Sequence, residues 1–196
     1  MSKERRENPI VTRSRAALIA AATALLDERG AAEISVKDVV ETAGMSRPTF
    51  YQHFPDLGAV FAAAGLARLE QTLGDLEQPT QAPSGLEHAF APTVAAVAGR
   101  MKQHAVFFHR VHAGPGYAAY HAGVVAFTAA RLRSEPLLQP WAEQDDVFWE
   151  FLAAGTVWVI NRQLAAWCAG RPEPGSDLSG IFALLLTTET TRTTES

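Results

Sequence analysis

The chain has 196 residues, 47% of them hydrophobic, which is enough for one large or two small packed domains and excludes disorder as its general state. A single cysteine, Cys168, excludes an intramolecular disulfide framework and a cysteine-rich zinc site, and fits a reducing cytoplasm. The formal net charge of −4 counts against a nucleic-acid partner when taken whole, but the charge is unevenly spread. Residues 1–15 hold Lys3, Arg5, Arg6, Arg13 and Arg15 against Glu4 and Glu7, a balance of +3, whereas residues 56–196 hold nine basic and fourteen acidic side chains, a balance of −5. Positive charge is therefore concentrated at one end.

Residues 1–11 read as a flexible basic arm, either a solvated tail or a segment reaching phosphates or a minor groove. They are polar and charged without an apolar run, so no signal peptide is expected. From 12 to 29 the apolar positions Leu18, Ala21, Ala22, Leu25 and Leu26 recur at helical spacing, with Asp27, Glu28 and Arg29 facing solvent and Gly30 ending the helix. Ser35 is a good N-cap for a helix over 36–43 that turns Val36, Val39, Val40 and Ala43 to one side. Gly44 supplies the left-handed residue that a tight helix end needs, and Met45 an apolar plug for the turn. Ser46 caps a second short helix over 47–54, with Pro48 in its first turn, where a missing N–H does no harm.

In that second helix Phe50 and Phe54 lie one turn apart and face inward, leaving Arg47, Thr49, Tyr51, Gln52 and His53 outside. Side chains of these kinds reach phosphates and base edges in a major groove, so the segment reads as helix-turn-helix. The candidate DNA-binding set is Lys37, Ser46, Arg47, Pro48, Thr49, Tyr51, Gln52 and His53. Arg47 is the expected base reader, with Gln52 the alternative, and Tyr51, His53, Thr49 and Lys37 are expected on phosphates. Two amphipathic helices about a glycine turn also occur in proteins that never touch DNA, and a helical protein-interaction adaptor is the alternative reading.

The flanking residues resemble the tetracycline-repressor (TetR) family of bacterial regulators. The resemblance rests on a first helix running into Gly30 (RAALIAAATALLDERG), the Ser35 cap, the Ala43-Gly44-Met45-Ser46 turn, and Tyr51-Gln52-His53-Phe54-Pro55, with a fourth helix starting at once. It covers about residues 10–65. Two departures stand out: Leu57 where the family usually has a phosphate-contacting Lys, and Val39-Val40 where it usually reads Ile-Ala. The resemblance implies a DNA-binding head over 1–56 and a helical effector-binding and dimerisation body over 57–196. It further implies a homodimer through the last two helices, and a repressor released from a palindromic operator by a small molecule.

Beyond the head, Asp56 is an expected cap for a helix to about 76, the one continuous link from head to body. A proline-containing loop over 77–85 precedes helical stretches over 86–103, 105–113, 117–133, 143–169 and 177–190, with a fraying threonine-rich end. No strand-period segment is present, and the expected fold is all-α. The run from Val147 to Trp158 carries one charge, Glu150, but Asn161, Arg162 and Gln163 interrupt the helix before it is long enough to span a bilayer, so no membrane association is expected. Ala153-Ala154-Gly155 and the apolar stretch from Ile181 to Leu186 offer faces for the core or a partner chain.

Phe90, Phe107, Phe108, His112, Tyr120, Phe127 and Trp149 form a candidate pocket for a small apolar or aromatic effector, against their reading as ordinary core. His109, His112 and His121 match no metal-binding spacing, so no metal and no cofactor are expected. No nucleophile stands in a context such as Gly-x-Ser-x-Gly, so an enzyme is not expected.

Overall fold

The computed structural model describes residues 9–74 and 86–171, with side chains over 11–74, 95–136 and 138–171. Eight α-helices account for most of these residues: α1 Pro9–Glu28, α2 Val36–Ala43, α3 Arg47–His53, α4 Leu57–Leu73, α5 Leu86–Gln103, α6 Ala105–His112, α7 Tyr117–Arg133 and α8 Asp146–Cys168. Short 3-10 turns cover Ala31–Glu33 and Pro136–Trp141, and no strand occurs among the described residues. The fold is all-α.

α1 reaches back at least to Pro9, beyond the expected start at residue 12. One boundary differs from expectation for a local reason. α8 starts at Asp146 rather than residue 143, because the Asp145 carboxylate accepts from the Phe148 N–H at 2.9 Å and caps it there. The expected loop over 77–85, the helix over 177–190 and the threonine-rich end lie outside the described residues.

The chain packs as two compact units, the first comprising Met1–Glu70 with Val106–Ala122, the second Gln71–Ala105 with Gly123–Ser196. In the first, α1 packs on both α2 and α3, and Leu18, Leu26, Val39, Phe50, Phe61 and Phe108 are sealed from solvent. Each large side chain so buried contributes about 1.5–3 kcal/mol relative to exposure. α6 and the start of α7 share this unit with α1, α2, α3 and most of α4. In the second unit Leu138, Trp149, Leu152 and Val159 form a core, covered by Ala129, Leu132, Trp141 and Phe148. Arg133 closes one side of it, paired with Asp146 at 2.6 Å and lying 5.7 Å from the centre of the Trp149 ring.

Candidate nucleic-acid interface

The α2–α3 pair is held by caps at both ends of α2 and at the start of α3. The Ser35 hydroxyl accepts from the Asp38 N–H at 3.3 Å, while the Asp38 carboxylate accepts from the Ser35 N–H at 2.8 Å and from the Ser35 hydroxyl at 2.6 Å, a reciprocal capping box. These two bonds from Ser35 hold the Asp38 carboxyl at about 2, below the usual carboxylate range, and Arg29 adds to the effect. The Arg29 guanidinium stands 3.3 Å from Asp38 and ties the end of α1 to the start of α2. Arg29 is thus half-buried and paired, not the free solvent-facing charge read from its position in α1.

Gly44 ends α2 at φ 65°, ψ 35°, with nothing within 4 Å of a β-carbon placed on it. Left-handed backbone, not lack of room, is what requires glycine there. Met45 follows half-buried, its N–H bonded to Val40 O at 2.8 Å. Ser46 then caps α3, accepting from the Thr49 N–H at 3.3 Å and sharing a 2.9 Å hydrogen bond with the Thr49 hydroxyl. Phe50 and Phe54 are buried with ring centroids 6.1 Å apart, and the Arg15 guanidinium covers the Phe54 ring at 5.1 Å. These contacts fix the rotation of α3 about its axis.

That rotation decides what α3 presents. Arg47, Pro48, Tyr51 and Gln52 are exposed, Tyr51 by 57% while standing edge-on to Phe50. His53 and Thr49 are half-buried, and the Thr49 hydroxyl is engaged at the cap. Lys37 is exposed on α2 beside Glu41 at 3.6 Å, an i,i+4 pair too solvated to hold it against a phosphate. Leu57 is half-buried at the start of α4, which the Asp56 carboxylate caps by accepting from the Ala59 N–H at 2.8 Å.

The candidate effector residues divide between the two units. Phe107, Phe108, His112 and Tyr120 lie in the first, Phe127 and Trp149 in the second, and Phe90 sits on α5. Phe108 and Tyr120 are core side chains of the first unit. His112 packs against Tyr117 at 5.4 Å and Tyr120 at 5.3 Å. Burial, with the neighbouring His121 and His109, lowers its imidazole to about 4, so it is neutral near pH 7. Burial likewise pushes the Tyr120 phenol up. Trp149 is 1% exposed, and its indole N–H has no hydrogen-bond acceptor among the described residues.

On α8, Val147, Phe151 and Trp158 are 71%, 66% and 58% exposed, with Gly155 open beside them. Ala153, from the same small-residue patch, turns the other way and is buried. No helix among the described residues is long and apolar enough to cross a membrane, and no cluster of three or more His, Cys, Asp or Glu there could hold a metal ion.

Residues 18–64 match the family described as bacterial regulatory proteins, tetR family. The HTH-type transcriptional regulator EthR of Mycobacterium tuberculosis (strain ATCC 25618 / H37Rv) is 52% identical over 44 residues, 22% of this chain and 20% of that protein. EthR of Mycolicibacterium smegmatis (strain ATCC 700084 / mc(2)155) is 53% identical over 45 residues, 23% of this chain and 21% of that protein. The match thus spans about a fifth of the length of these curated relatives. Over most of the chain the fold is similar to RolR in complex with resorcinol, with a TM-score of 0.54 at 20% identity, covering 89% of this chain and 85% of that one. It is similar too to the TetR family repressor AlkX from Dietzia sp. strain DQ12-45-1b, with a TM-score of 0.54 at 16% identity, covering 93% and 97%.

Proposed function

We infer that this chain, which belongs to the tetR family of bacterial regulatory proteins, is a transcriptional regulator that reads double-stranded DNA in the cytoplasm through α3, as a homodimer. One observation carries the reading. The helix whose sequence matches the family presents Arg47, Tyr51 and Gln52 to solvent, while Phe50 and Phe54 anchor its opposite face. A guanidinium there suits a bidentate contact to guanine and an amide one to adenine, with Tyr51, His53 and Lys37 on flanking phosphates. Ser46 and Pro48 set the start of the helix, and Thr49 is the remaining candidate phosphate contact.

A lone α3 reads few bases, so selectivity requires two copies on a palindromic site, with half-sites spaced by about 34–36 Å or a multiple of it. The exposed apolar face of α8 supports that dimer, since such a patch on a helix suits another helix more than water. On this reading residues 1–56 are the DNA-binding head, residues 57–196 the effector and dimerisation body, and the mode is repression relieved by a small molecule. For the effector site this reading takes Phe127 and Trp149 of the second unit, where an indole N–H with no acceptor among the described residues favours an aromatic or apolar molecule carrying a hydrogen-bond acceptor.

The test is selection of duplexes from a randomised pool, followed by an electrophoretic shift with competitor DNA. A palindromic consensus and a sequence-dependent band are expected. An adaptor or an enzyme would give no sequence-dependent band, and that outcome would overturn the assignment.

A further inference from the structure

The last four carbonyls of an α-helix have no intrahelical donor and carry the negative end of its dipole. In α1 two of these, on Leu26 and Asp27, are taken by one guanidinium from α6: Arg110 Nη1 donates to Leu26 O at 2.8 Å and to Asp27 O at 2.6 Å. A second guanidinium works beside it. Arg68 of α4 pairs with the Asp27 carboxylate and lies 4.6 Å from the centre of the Phe107 ring, one turn before Arg110 on α6. The α6–α7 turn is seated flush by glycines. A β-carbon on Gly114 would stand 3.1 Å from the Ala31 side chain, and one on Gly65 of α4 would stand 2.6 Å from the Tyr120 ring.

From the end of α1 the contacts run on to α3. Arg29 joins α1 to Asp38 of α2, and Arg15 covers Phe54 behind α3. The hydrogen bonds of Arg110 go to backbone 83 and 84 residues away, and neither acceptor belongs to a candidate DNA contact.

We propose that Arg110 is a positioning residue for DNA recognition: by holding the C-terminal carbonyls of α1 it sets the tilt of the head, and so the aim of α3. This rests on the DNA-binding reading above. The head is therefore gripped at two places, through the covalent run from α3 into α4 and through α6 onto α1. A charge-assisted bond to two carbonyls at once is stronger than a neutral one and holds α1 against rotation as well as translation.

The experiment compares wild type, Arg110→Met and Arg110→Lys by fluorescence anisotropy on a duplex that the wild type selects from a random pool, over a series of salt concentrations. Melting curves fix a temperature at which each protein is folded. Arg110→Met is expected to bind about tenfold more weakly, and Arg110→Lys, which keeps the charge but not the rigid fork, to fall between. The slope of log affinity against log salt is expected to stay that of wild type, because no phosphate contact is lost. If Arg110→Met does not fold, Arg110→Lys decides the matter by the same two readouts. Wild-type affinity in the folded variant read would overturn the proposal, and so would a shallower salt slope, which would make Arg110 a phosphate contact. A wild type that selects no sequence would instead overturn the DNA-binding reading.

Discussion

Gly116 and Gly58 meet backbone to backbone: a β-carbon placed on Gly116 would stand 2.0 Å from the Gly58 carbonyl oxygen. Gly58 is the second residue of α4, five residues past the end of α3, so the turn between α6 and α7 rests on the segment that follows α3. Gly116→Ala must push backbone from backbone, which no rotamer change can relieve. We expect a loss of about 1–3 kcal/mol or more, lowering the melting temperature by several degrees. Gly99→Ala on α5 is the contrasting case: with nothing within 4 Å of the added carbon it should stabilise by about 0.5–1 kcal/mol. Differential scanning calorimetry of both variants checks the pair, and equal shifts would contradict the close approach.

His112 makes the protein acid-sensitive over a defined range. Its folded imidazole titrates at about 4 against 6.5 for a free one, chiefly because it is buried. Below pH 6.5 the unfolded chain takes up a proton that the folded chain refuses, so stability falls as pH drops from 6.5 towards 4 and is unaffected by this group above 6.5. The loss should be roughly 2 kcal/mol, discounted for the part of the ring that water reaches. His112→Phe keeps a ring against Tyr117 and Tyr120 and should flatten the profile. Urea midpoints at pH 5 and pH 7.5 measure it.

Loss of a cap should show in α2 before anywhere else. Ser35→Ala removes the acceptor for Asp38 N–H and should cost about 1 kcal/mol. The Asp38 carboxyl should move back up from about 2 towards its ordinary 3.8 in an NMR titration, since Ser35 is the main cause of its depression. In the wild type, the part of stability tied to this group is present above pH 3.8 and disappears as pH falls through about 2. A carboxyl still near 2 in the variant would mean that the backbone N–H of residue 35 and Arg29, both kept, dominate.

On the selected duplex, Arg47→Ala should cost about 1–3 kcal/mol and relax preference at one position in each half-site. Tyr51→Phe should instead weaken binding to all sequences alike, as loss of one phosphate contact does. A change of sequence preference in Tyr51→Phe, with nonspecific affinity intact, would reverse the two roles.

Phe151→Glu puts a charge in the middle of the exposed α8 face. The buried core of the second unit should be unaffected, because Phe151 is 66% exposed, and the melting temperature of dilute protein should change little. Sedimentation velocity should then report monomer where wild type reports dimer. A variant that remains dimeric would place the dimer interface elsewhere.

What could be read from residues alone is what is decided within a turn or two of helix. Ser35, Gly44, Ser46 and Asp56 each act on backbone no more than about four residues away, so the ends of α2 and α3 and the start of α4 follow from residue type and spacing. Phe50 and Phe54 announced the inner face of α3 by period, and Arg47, Tyr51 and Gln52 its outer face. Asp145 carries the same kind of local signal for α8, although apolar periodicity alone places that start about three residues earlier. The division of the aromatic set was not legible. Phe107, Phe108 and His112 stand on α6, Tyr120 and Phe127 on α7 and Trp149 on α8, and only packing sends the first four of these to one unit and Phe127 and Trp149 to the other. The hold of Arg110 on Leu26 and Asp27, of Arg29 on Asp38, and the contact of Gly116 with Gly58 were equally out of reach. A charge or a glycine declares what it can do, but its partner is chosen by the three-dimensional approach of helices, and in a chain where contacts are short-ranged and sequence separations are long, residue order carries no record of that choice.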